Sequence, residues 1–113
     1  AYQRGGVSMS DPRMIRIAEI EVDPGQLAAY SGFLTEEIAT SVEIEPGVLM
    51  LHAVAQRDQP HHIRILEVYA SRADYEAHIQ TPHFLKYKLG TADMVTALRL
   101  VEVDPIILAA KPE

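Results

Sequence analysis

Residues 48–70 read VLMLHAVAQRDQPHHIRILEVYA. Two runs rich in aliphatic residues, Val48–Gln56 and Ile63–Ala70, flank the polar stretch Arg57–His62, which contains Pro60. Strand, breaker and strand in that order predict a β-hairpin. Closing the loop symmetrically sets Asp58 opposite His61, which places His52 opposite Glu67, Met50 opposite Tyr69 and Val54 opposite Ile65. One face of the hairpin then carries Met50, His52, Ile65, Glu67 and Tyr69. The other carries Leu49, Leu51, Ala53, Leu66 and Val68. Because side chains alternate along a strand, a slip of one residue would separate His52 from Glu67.

Upstream, Met14–Val22 (MIRIAEIEV) predicts another strand. Asp23, Pro24 and Gln26 form a helix start: a capping carboxylate, a proline at the first helical position and an amide three residues on. Leu27, Tyr30, Leu34, Ile38 and Val42 follow at steps of three and four, the stripe of a helix buried along one side. Glu45-Pro46-Gly47 ends it. Downstream, Ser71 and Thr81-Pro82 supply two more helix starts, Tyr75, His78 and Ile79 share a helical face, and Ala97–Val103 predicts a fourth strand. The order β-α-β-β-α-β is the ferredoxin-like α+β arrangement. Residues 14–108 are expected to form the domain, with 1–13 a flexible leader and 109–113 a tail. Both hairpin faces are apolar, yet the helices can cover only one. The uncovered face and the apolar Ile106-Ile107-Leu108 therefore predict a homodimer.

The 113 residues contain no cysteine and no tryptophan. Disulfide scaffolds, zinc–cysteine sites and thiol nucleophiles are excluded at once. A formal net charge of -6 argues against a nucleic-acid partner. No apolar run is long enough for a membrane span, and the first residues lack a secretory apolar core. A cytoplasmic protein is expected.

The face carrying His52, Glu67 and Tyr69 among Met50 and Ile65 has the mixture of apolar walls and few polar groups that suits a small-molecule pocket. It reads equally as a satisfied cross-strand pair. A second cluster, His78 to Phe84, brings Tyr75, His78, His83 and Phe84 together. Either histidine is a candidate base for an acidic hydroxyl, or else a histidine bonded to backbone or solvent. His78 and His83 are separated by Pro82, which is no standard metal spacing, and no acidic ligand lies nearby in sequence, so no metal is expected. His61 and His62 fall in the hairpin loop. Nucleotide-binding glycine motifs and serine-hydrolase motifs are absent.

EPGVLMLHAV, together with ILEVYASRADYEAHIQTPHFLKY, resembles the antibiotic biosynthesis monooxygenase family and its small quinol monooxygenase and autoinducer-2-degrading relatives. The resemblance spans about residues 14–108 and implies a dimeric α+β barrel. It also implies a pocket between sheet and helices, and oxidation of phenolic or quinol substrates by O2 with no cofactor. In that reading His78 or His83 removes the substrate proton, Glu67 orients the base or a water, and Tyr69 bonds the developing oxyanion. His52, Met50, Ile65, Tyr75 and Phe84 line the pocket. Haem-degrading relatives carry a tryptophan where Tyr69 stands, which turns the reading away from haem. Two alternatives use the same groups: isomerisation or degradation of a small hydroxyketone signal, and a dimeric ligand-binding module without catalysis.

Overall fold

The computed structural model describes residues 11–112. Four strands, β1 (Met14–Val22), β2 (Val48–Ala55), β3 (His62–Tyr69) and β4 (Val95–Val103), form one antiparallel sheet in the order β2-β3-β1-β4. Three helices, α1 (Leu27–Ile44), α2 (Arg72–His78) and α3 (Pro82–Thr91), complete the β-α-β-β-α-β order. The leader expected at 1–13 lies almost wholly outside the described residues, and β1 begins where the sequence predicts.

The helix starts follow local chemistry. Asp23 accepts from the Gly25 amide at 3.0 Å, but it caps a short 3-10 turn, Pro24–Gln26, that leads into α1. Ser71 accepts from the Asp74 amide at 3.1 Å and Thr81 from the Phe84 amide at 3.2 Å, with Pro82 in the first turn of α3. α1 crosses α3 at Gly90, where an added Cβ would collide with the Phe33 ring. Glycine permits that approach.

The hairpin register differs from the symmetrical closure. His52 pairs with Leu66, and it is Leu51 that stands opposite Glu67. Five residues, Arg57–His61, form the connection, closed by the Gln56 amide on the His62 carbonyl at 2.9 Å. An odd count moves every partner by one. Further along, the ladder shifts between Val48 and Met50, so Val48 pairs with Tyr69 and Met50 with Val68. The face of β3 is as expected, with Ile63, Ile65, Glu67 and Tyr69 buried. His52 and Met50 are thereby turned to the opposite face of the sheet, away from the helices.

The α1 stripe also differs from its aliphatic reading. Tyr30, Leu34, Glu37 and Ser41 are its buried residues, and Val42 is 48% exposed. The helix therefore changes from an apolar to a polar buried face over its last two turns. Its apolar half packs on Ala18, Ile20, Val22, Ile63 and Ile65. The Tyr30 hydroxyl meets that of Tyr87 at 2.7 Å, so the buried Tyr30 phenol and the partly buried Tyr87 phenol satisfy each other.

Candidate functional site

Between the sheet and the three helices lies a cavity of about 610 Å³, within the range of small-molecule sites. Most of its wall is aliphatic or aromatic, including Ala18, Leu34, Leu51, Ile65 and Phe84. One end is polar: Arg16, Glu37, Glu67, Tyr69, Tyr75 and His78. β1 and β3 position three of these, since Arg16 and Glu67 are cross-strand partners and Tyr69 lies two residues beyond Glu67 on the same face. α2 brings Tyr75 and His78 on successive turns.

Arg16 and Glu67 form a nearly buried ion pair, Nη2 to Oε1 at 3.1 Å. The same Glu67 oxygen accepts from the Tyr69 hydroxyl at 2.7 Å. Burial, then the adjacent Glu67 charge, pushes the Tyr69 phenol up, so it remains a donor. Arg16 Nη1 donates to the Tyr75 hydroxyl oxygen at 2.9 Å, and the guanidinium lies 4.6 Å from the centre of the Tyr75 ring. Burial weakens the Arg16 cation, but the Glu67 charge and these bonds outweigh it and hold the group charged. Arg16 Nε is buried with no partner. Glu67 Oε2 and the Tyr75 hydroxyl proton have no protein partner among the described residues. One acceptor and one donor at the cavity end are therefore available to a bound molecule.

His78 is held differently from the free base its position suggested. Its Nδ1 lies 2.9 Å from Glu45 Oε2 and its Nε2 3.2 Å from Glu37 Oε1. Glu37 is held in turn by the Ser41 hydroxyl at 3.1 Å. Burial opposes a charge on His78, yet the two carboxylates raise its basicity above the ordinary value. With a carboxylate at each ring nitrogen, His78 has no lone pair left for a substrate. His83 Nε2 meets Glu45 Oε2 at 2.6 Å, and neither residue lines the cavity. The bonds from His78 and His83 hold Glu45 below its usual range against the opposing effect of burial.

Glu67, Tyr69, His78, Ile65, Tyr75 and Phe84 thus line one cavity, as the sequence suggests. His52 and Met50 do not, because the register sends them to the other face. The site residues that sequence reasoning missed are Arg16, Glu37 and Glu45. Arg16 and Glu37 each carried a legible signal, a charge inside an apolar strand and a charge inside a helical stripe. Glu45 sat within the quoted Glu45-Pro46-Gly47 turn, but nothing local ties it to histidines 33 and 38 positions away.

A family model described as antibiotic biosynthesis monooxygenase matches residues 13–88. Among solved structures, a Bacteriodes thetaiotaomicron protein assigned as an antibiotic biosynthesis monooxygenase is 48% identical, with a TM-score of 0.85, covering 89% of this chain and 96% of that one. A Lactobacillus acidophilus protein assigned as a monooxygenase is 28% identical, with a TM-score of 0.80. The match covers 82% of this chain and 44% of that one, so this chain spans less than half of its length. A Nitrosomonas europaea protein, 21% identical with a TM-score of 0.79, covers 86% and 93% and shares the fold. No curated protein matches. No helix among the described residues is long and apolar enough to cross a membrane.

Proposed function

This chain belongs to the antibiotic biosynthesis monooxygenase family, and on that footing we propose that it oxidises a quinol-like or phenolic small molecule with O2 and no organic cofactor. One observation carries the reading. An aromatic-sized apolar cavity ends at a free carboxylate oxygen and a free phenol donor, with an arginine touching both side chains. Glu67 Oε2 takes the proton of the substrate hydroxyl. The Tyr75 hydroxyl, polarised by Arg16, donates to the oxyanion that forms. The electron-rich anion then reduces O2 itself. One oxygen atom enters the ring and the other leaves as water, so a quinol and O2 give a hydroxyquinone and water without an outside reductant. The apolar walls exclude water from the anion and its oxygen adduct. His78, held on both sides, positions the Tyr69 and Phe84 wall it packs against, at ring separations of 5.3 and 5.1 Å.

Oxygen uptake with a panel of quinols and phenols tests this. Turnover with at least one quinol is expected. Conversion of a hydroxyketone without oxygen consumption would replace the proposal with the isomerase reading. Saturable ligand-induced stabilisation with no turnover would replace it with the binding module.

The same proposal includes a homodimer in the cytoplasm. The sheet face away from the helices exposes Val54 and half-buries Met50, while Ile106 and Ile107 are 100% and 76% exposed. Apolar surface of this kind favours a second copy as cover. Light scattering at micromolar concentration is expected to give twice the chain mass of 12.6 kDa; a single-chain mass would contradict it.

A further inference from the structure

We propose that Glu45, His78 and His83 form a binding site for one divalent metal ion of the zinc type, behind the cavity wall that His78 helps to form. Glu45 Oε2, His78 Nδ1 and His83 Nε2 converge from three segments, with all three atoms within 4.8 Å of one another. They come from the C-terminal cap of α1, the last residue of α2 and the first turn of α3. Two imidazoles and one carboxylate are a recurrent zinc ligand set. Zinc bonds of about 2.0–2.2 Å in tetrahedral geometry put donor atoms roughly 3.4 Å apart. The carboxylate now stands 2.9 and 2.6 Å from the two ring nitrogens, so an ion needs these pairs to open by only about half an ångström or a little more.

A second feature points the same way. The other nitrogen of His78 faces Glu37, which is held by Ser41. A metal-bound imidazole characteristically passes its remaining N–H to such an outer carboxylate, which sets the tautomer and the ring orientation. The sites are also suitably secluded. The His78 side chain is 3% exposed, and those of Glu45 and His83 are 14% and 13% exposed.

The ion takes the place of the protons that now bridge the three donors, so binding releases protons. It ties α1 to α2 and α3 and locks the ring that forms part of the cavity wall. Of the three ligands only His78 lines the cavity, and Glu67 and Tyr75, which carry the oxidation reading, are not among them, so the two readings are tested separately.

The test uses the full chain stripped with a chelator and titrated with Zn²⁺ in a calorimeter, in two buffers of different ionisation enthalpy. One ion per chain with net proton release is expected, together with a rise in unfolding temperature. Co²⁺ in place of zinc should give the intense visible bands of a four-coordinate site. His83→Ala and Glu45→Gln should each weaken Zn²⁺ binding at least tenfold. His83→Gln, which preserves size and hydrogen bonding, should do the same if His83→Ala folds poorly. Replacing His61 and His62, whose rings pack together in the hairpin loop, should leave binding unchanged. The site is refuted if binding is substoichiometric, or if it survives the His83 and Glu45 changes and disappears with His61 and His62.

Discussion

Glu67→Gln is expected to lower quinol turnover by about 10²–10⁴-fold, the usual contribution of a positioned base. The substitution keeps the shape and the hydrogen bonds to Arg16 and Tyr69 but removes the oxygen that receives the substrate proton. The loss should therefore appear in kcat more than in KM. Tyr75→Phe should cost less, because it removes one donor to the oxyanion and leaves the base. If Glu67→Gln stays within tenfold of the parent while His78→Gln loses activity and retains its fold, the base is His78. The two carboxylates at its ring nitrogens would then have to release it during turnover.

Arg16→Met should be the most damaging single change for stability among the site residues. It strands the Glu67 carboxylate at 7% exposure, and removing one partner of a buried ion pair typically costs about 3–5 kcal/mol. Denaturant unfolding of the parent and the variant measures this directly. Adding Glu67→Leu to Arg16→Met should recover much of the loss, since no buried charge then remains unpaired. A double variant no more stable than Arg16→Met alone would mean that packing of the arginine stem, rather than its charge, stabilises the strand pair.

Much of this architecture is legible in the sequence because it rests on local signals. Ser71, Thr81 and Pro82 start helices through contacts within three residues, and the aliphatic runs that form β1 and β3 alternate into a buried face. What escaped depends on counts and contacts that are not local. The hairpin closes on five residues, and that single-residue difference decides that Leu51, not His52, faces Glu67; a second shift near Leu49 sets Val48 opposite Tyr69. Periodicity favoured Val42 as a buried residue. The helix instead buries Glu37 and Ser41, because His78 arrives from another helix to pair with the carboxylate. A charge inside an apolar stripe is the only trace such a partnership leaves in one chain.

In the proposed mechanism a substrate hydroxyl is gripped between Glu67 and Tyr75. An anaerobic crystal structure with a bound quinol tests it most directly. One quinol oxygen is expected within hydrogen-bond distance, about 2.6–3.2 Å, of both Glu67 Oε2 and the Tyr75 hydroxyl, with the ring against Leu51, Ile65 and Phe84. A quinol seated with its hydroxyl on His78, or lodged outside this cavity, would contradict it.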